Sequence, residues 1–282
     1  MTWQHTFRVA HVSVGIVSEH PECSRIIRLL VCLYADTTAS ADILFSVRCR
    51  DGILELAVDG SPLWSGTNAG EIVAALEVHL YTHILARLSP ACASIHAAAV
   101  NIDGHACVFA GQSNAGKSSL CTAALLDGAA YLSDEFALLR EDGRIEPFPR
   151  PLQWGKSRHP AFPHQDMLAG QCFSKACFRF PDHQGKIVRN LLWLPARVER
   201  HALPLGWLFL PHYRKSSPPV DITPIRRGEA LMVLPEHLHQ RGTPDAMLKT
   251  LNLRLPNATR FFRLDFSDAR TAWMTVRQLL TG

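Results

Sequence analysis

From Thr6 to Leu63, apolar and polar residues alternate between turn-forming clusters, the two-residue period of strands with one buried face. The pattern predicts strands over Phe7 to Val14, Ile26 to Tyr34, Ile43 to Cys49 and Ile53 to Val58, with Asp51-Gly52 as the hairpin dipeptide between the last two. The period then changes. Val73, Leu76, Leu80, Ile84 and Leu88 fall on one helical stripe, opened by Thr67-Asn68 as cap with Glu71 in the first turn and closed at Ser89-Pro90. Two strands follow, Ser94 to Asn101 and His105 to Ala110, joined tightly at Asp103-Gly104. A helix is predicted over Lys117 to Leu126 with a stop at Gly128. After it come a short strand, Ala130 to Leu132, ending in Ser133-Asp134-Glu135, and a hairpin of Phe136 to Leu139 with Ile145 to Phe148.

Between Pro147 and Pro224 the periodicity fades into Pro-, His- and aromatic-rich sequence. Apolar runs such as Leu191 to Leu194 and Leu205 to Leu210 mark it as a functional region of loops and short strands rather than a linker. Regularity returns with helices over Gly228 to Leu234 and Asp245 to Leu253, a strand over Phe261 to Phe266, and a last helix over Ala269 to Leu280 capped by Ser267. The expected organisation is a β-rich N-terminal lobe with a closing helix, residues 1–90, followed by an α/β core, residues 91–282.

Composition narrows the function classes. With 47% hydrophobic and 19% charged residues among 282, the chain has ordinary globular usage and can bury a core without staples. A net charge of +4, with no basic run longer than a pair, argues against a nucleic-acid partner while leaving phosphate ligands comfortable. No stretch has the apolar length of a membrane span, and Met1 to Val9 lack the basic and apolar regions of a secretory signal. Eight cysteines scattered through apolar sequence read as reduced thiols, so a cytoplasmic location is expected.

The chemistry concentrates at Gly111-Gln112-Ser113-Asn114-Ala115-Gly116-Lys117-Ser118, which follows an apolar strand and opens a helix. A phosphate tail needs many donors at short range. A glycine-rich loop supplies them as inward-turned backbone N–H groups, with Gly111 and Gly116 where a Cβ would obstruct the turn or the ligand. Lys117 then serves the β and γ phosphates and Ser118 a Mg²⁺ ion, with Ser119 beside them in the positive first turn of the helix. The expected ligands are ATP and Mg²⁺.

Phosphoryl transfer also needs a carboxylate near the metal and a group that steers the nucleophile. Asp134-Glu135 offers both functions, one carboxylate on the metal and the other on the acceptor hydroxyl, provided the strand bends there, since neighbouring strand residues face opposite ways. His96, on the strand paired with the one leading into the loop, is placed to touch the γ phosphate or its acceptor. Arg150, Lys156, Arg189 and Arg197 are further cations able to stabilise transferring charge. His79 and His83 sit one helical turn apart without an acidic third ligand, and Cys172 and Cys177 have no partner pair, so neither set reads as a zinc site.

The run Ser94-Ile95-His96-Ala97-Ala98-Ala99-Val100, the hairpin, the loop, the helix and Leu132-Ser133-Asp134-Glu135-Phe136 resemble the kinase core of the HPr kinase/phosphorylase family. They are closer still to the HPr-kinase-like proteins of bacterial peptide-modification gene clusters. That family shares its active-site architecture with phosphoenolpyruvate carboxykinase, a phosphate loop in a mixed sheet after an antiparallel strand. The likeness covers Ser94 to Lys156 and is weaker in the last strand and helix. It implies transfer of the γ-phosphoryl group to a serine hydroxyl, with His96 near the γ phosphate, Asp134 as base, Lys117 on the phosphates, and Ser118 and Glu135 on the metal. It also implies a homo-oligomer. Where regulatory HPr kinases carry two aspartates, this chain has Asp134-Glu135, and the glycine-arginine segment of the reverse reaction has no equivalent. Dephosphorylation, and HPr as substrate, are therefore not expected. The expected acceptor is a peptide or small protein, such as a ribosomally made peptide under modification, met along a strand edge of the N-terminal lobe. A nucleotide-binding regulator without turnover, and a kinase of free serine or a similar alcohol, are the alternatives.

Overall fold

The computed structural model describes residues 2–89, 91–154, 159–165, 168, 171–181, 185–216, 220–239 and 242–281. It is a mixed α/β protein with mixed sheets and six α-helices among the described residues. Two compact units emerge, one of Met1–Leu88, Arg150–Ser157 and Phe173–Leu194, the other of Ser89–Pro149, Arg158–Cys172 and Pro195–Gly282. The first unit thus draws in two segments beyond the expected break near residue 90.

In the first unit a five-stranded sheet runs in the order β1 (Trp3–Val9), β2 (Val12–Ser18), β3 (Ile43–Arg50), β4 (Ile53–Val58) and β5 (Ser61–Gly66). The expected strand from Phe7 to Val14 is in fact two, folded back at Ala10, which adopts a φ of 51°. The expected strand over Ile26 to Tyr34 is a helix, α1 (Pro21–Val31). Pro21 sits in its first turn, the His20 ring accepts from the Cys23 N–H at 3.4 Å, and Cys23, Ile26, Ile27, Leu30 and Val31 make one buried stripe. Helix α2 (Ala69–Leu88) begins where predicted, with the Asn68 side chain accepting from the Glu71 N–H at 3.1 Å.

Arg150 and Gln153 lie against α2. Gln153 donates to Glu77 at 2.6 Å, and the Arg150 guanidinium sits 3.6 Å from the same carboxylate and over the Tyr81 ring. Glu77 is buried, and these partners compensate its charge.

The second unit is built on a seven-stranded sheet. Its strands, in chain order, are β6 (Cys92–Ile102), β7 (His105–Ala110), β8 (Ala130–Arg140), β9 (Arg144–Glu146), β12 (Leu203–Tyr213), β13 (Val220–Ile225) and β14 (Arg260–Phe266). β10 (Phe173–Pro181) and β11 (Ile187–Pro195) form a separate two-stranded sheet. The large sheet is ordered β13-β14-β12-β7-β6-β8-β9, and β9 also bonds to the start of β12. Strands β7, β12 and β14 are mutually parallel, while β6 is antiparallel to both β7 and β8.

Helices cover both faces. Helices α4 (Arg227–Val233) and α5 (Pro244–Arg254) bring Ala230, Leu231, Leu251 and Leu255 onto a core of Ala97, Val108, Leu208 and Phe261. On the other face lie α3 (Lys117–Leu126) and α6 (Ala269–Thr281), where Trp273 meets Phe109 edge-on and donates to Asp127 of the α3 C-cap at 3.0 Å. The cap of α6 is Asp268 rather than Ser267, since the Asp268 carboxylate accepts from both the N–H and hydroxyl of Thr271. Residues 147–224, expected as loops with short strands, carry the eleven-residue β12, an interior strand of the sheet between β14 and β7. No described helix is long and apolar enough to cross a membrane.

Candidate functional site

The Gly111 to Ser118 loop links β7 to α3. Its turn is set by two residues of positive φ, Asn114 at 68° and Gly116 at 94°, the latter being the N-cap of α3. A Cβ on Gly116 would collide with the Phe266 ring, and one on Gly111 would come within 3.2 Å of the Ala115 methyl. Gln112, Ser113 and Asn114 are exposed, Ala115 and Gly116 half-buried, and Ser118 and Ser119 half-buried in the first turn of α3.

Lys117 is buried at 6% exposure, and its Nζ donates to the Gln112 carbonyl at 2.9 Å, so its ammonium closes back over the loop. Burial pulls its pKa down, while the charges of Glu135 and Asp134 pull it up. The lysine and both carboxylates therefore share one electrostatic neighbourhood.

Asp134 and Glu135 stand in mid-strand, not after a short one. β8 runs unbroken through them, opposite Ala98 and Ala97 of β6. The irregularity lies just before, where Leu132 is an extra residue between Tyr131 and Ser133, and the Ser133 hydroxyl accepts from the Phe136 N–H at 3.1 Å. His96 is half-buried, with its Nε2 3.2 Å from Glu135 Oε1. Its carbonyl accepts from the Gly111 N–H at 3.3 Å, which ties the imidazole strand to the first residue of the loop.

Two functional candidates were invisible to sequence reasoning. β7 leaves β6 at Ala110, and the vacated edge is taken by residues far along the chain. Leu238 bridges Ile95, and the His239 N–H donates to the Ser94 carbonyl at 2.9 Å. This brings the His239 ring within 5.3 Å of the His96 ring and its Nε2 within 3.2 Å of the Glu135 carbonyl. His237 faces a cleft of about 510 Å³ beside the loop, together with His212, Arg214, Arg263 and Asp265. Burial pulls the pKa of both His237 and His239 down, and the neighbouring His96 and Lys117 charges pull the same way.

The other cations are engaged elsewhere. Arg150 lies on Glu77 in the first unit, Arg189 points to the Cys177 sulfur at 3.7 Å, and Arg197 donates to the Gly128 carbonyl at 2.8 Å. Lys156 lies outside the described residues. All eight cysteines are free thiols, and His83 Nδ1 contacts the His79 carbonyl within α2.

A buried relay supports α3 from behind. The Ala161 N–H donates to His159 Nδ1 at 3.0 Å, so the neutral ring keeps its proton on Nε2, which faces the Thr122 hydroxyl at 3.3 Å. Thr122 in turn donates to the Ser118 carbonyl at 2.7 Å. His159 is 2% exposed, and burial holds its pKa at about 4 against 6.5. The folded state thus keeps the ring neutral, and that stability is complete above pH 6.5 and drains away as pH falls from 6.5 towards 4. Between pH 7 and pH 5 the fold should lose about 2 kcal/mol that a His159→Gln variant keeps. Urea unfolding of both proteins at the two pH values checks this, and parallel losses would refute it.

The sequence matches no known family model and no curated protein.

Proposed function

We propose that this chain is an ATP-dependent kinase with a P-loop core of the HPr kinase and phosphoenolpyruvate carboxykinase type, transferring the γ-phosphoryl group to a serine-type hydroxyl on a peptide or small protein. The observation that carries the reading is the convergence of Lys117, Asp134, Glu135 and His96 at one loop. The ammonium feels both carboxylates, His96 pairs with Glu135, and the His96 backbone holds the first residue of the loop.

The residue types suit a Mg²⁺-bound triphosphate: a hydroxyl in the first turn of α3 and the carboxylates of β8 are the oxygen ligands that a hard cation takes. Ser118 and Glu135 would hold the ion, which when bound neutralises charge on the β and γ phosphates. Gly111 to Ser119 supply backbone donors and the positive helix end. Lys117 exchanges its bond to the Gln112 carbonyl for phosphate oxygens. Asp134 accepts the proton of the acceptor hydroxyl at its carboxylate. His96, oriented by Glu135, donates towards the γ-phosphoryl oxygens.

Titration calorimetry with Mg·ATP tests the first requirement. Lys117→Ala should weaken binding by at least about tenfold, the loss of one charge-assisted contact. Equal affinity in variant and parent would remove the nucleotide from the loop and the kinase with it.

A further inference from the structure

One wall of the cleft is the phosphate loop itself, Gly111 to Ala115, while the opposite wall, with His212, Arg214, His237, Arg263 and Asp265, has no role in the reading above. The cleft opens at the carboxyl ends of the parallel strands β7, β12 and β14, where open α/β sheets place their ligands. Its charge is unbalanced. Two guanidinium groups, Arg214 and Arg263, face one carboxylate, Asp265, and that carboxylate is already shared by Arg214 at 3.3 Å and the His212 ring at 3.0 Å. Arg263 is exposed and has no ion-pair partner among the described residues. His237 provides an independent sign. Only 7% of it is exposed, it lines the cleft, and its Nδ1 has no hydrogen-bond partner among the described residues, an arrangement that costs stability unless a ligand completes it.

The described residues lining the cleft include no Phe, Tyr or Trp, so a nucleobase would find no large aromatic ring to stack on. An oxyanion would find two guanidiniums and an imidazole. We infer that this cleft binds an acidic side chain of the peptide acceptor and so selects substrates carrying a carboxylate at a set distance from the phosphorylated hydroxyl. The inference rests on the kinase reading for the position of that hydroxyl, beside Asp134 on β8. The strand order β8-β6-β7-β12-β14 sets the distance. Three and four strand spacings of about 4.8 Å separate β8 from β12 and β14, the cleft strands that bear His212, Arg263 and Asp265, roughly 14 to 19 Å, which an extended peptide covers in about four to six residues.

The test uses fluorescein-labelled serine peptides with a single Glu placed one to eight residues from the serine on either side, each compared with its Gln counterpart by anisotropy on the full chain. Peptides with Glu four to six residues away should bind about tenfold tighter than their Gln counterparts, and Arg263→Glu should erase the difference while Arg263→Lys retains part of it. No preference for Glu at any spacing would overturn the inference, as would an Arg263→Glu protein that loses Mg·ATP affinity in place of peptide affinity, since the cleft would then serve the nucleotide. The peptide measurement needs no nucleotide, so its failure is distinct from the failure of Mg·ATP to bind at the loop.

Discussion

An Asp134→Asn protein is expected to transfer phosphoryl groups about 10² to 10⁴ times more slowly than the parent, the usual contribution of a positioned general base. Asparagine keeps the shape and the strand pairing opposite Ala98 but cannot take a proton. Affinity for Mg·ATP should stay within about threefold of the parent, because the base acts on the acceptor and only during transfer. Glu135→Gln should show the inverse pattern, weaker Mg·ATP binding first, with the 3.2 Å partner of His96 reduced from a carboxylate to a neutral amide. Single-turnover transfer from γ-labelled ATP, with calorimetry on the same proteins, separates the two carboxylates. If Asp134→Asn transfers at the parental rate, Asp134 is not the base. If the binding defect falls on Asp134 instead, the two roles are exchanged.

The stretch from β6 to β8 that holds these residues is legible in the sequence because its structure is local. The loop, the helix behind it and the β6-β7 hairpin are local features, decided by glycines, an Asp-Gly turn and a run of small apolar residues within about thirty positions. The distortion that lets two neighbouring carboxylates serve one site begins at Leu132, an extra residue against β6, and continues where the Ser133 hydroxyl accepts from the Phe136 N–H, while Asp134 and Glu135 keep their one-to-one partners. Nothing in the residue types marks that bulge.

Where partners are distant, the sequence was silent. β12 shows in the sequence only as an apolar run because a strand covered on both faces lacks alternation, and its partners lie about a hundred residues upstream in β7 and fifty downstream in β14. His237 and His239 carried no local signal, and they reach the site through a backbone bridge to Ile95 and Ser94. The error at α1 has a different origin. Ile26, Ile27, Leu30 and Val31 suit a strand by residue type, but their spacing makes a helical stripe once Pro21 and the His20 cap start the turn.

Gly116→Ala should destabilise the second unit by about 2 to 5 kcal/mol. Holding alanine at a φ of 94° costs about 1–2 kcal/mol, and the new methyl must displace the Phe266 ring, an overpacking cost of about 1–3 kcal/mol. Phe266 cannot swing away cheaply, because it is fully buried at the end of β14 and pairs with Val220 of β13. Gly104→Ala separates the two costs, since Gly104 has a comparable φ of 84° but open space around a Cβ. Urea unfolding should therefore show Gly104→Ala losing only the backbone part and Gly116→Ala losing clearly more. The excess should be accompanied by loss of Mg·ATP binding, because relief of the clash moves the N-cap of α3 and the N–H groups that follow it. Equal losses from the two substitutions would mean that the ring yields freely, and that Gly116 is required for its backbone angle alone.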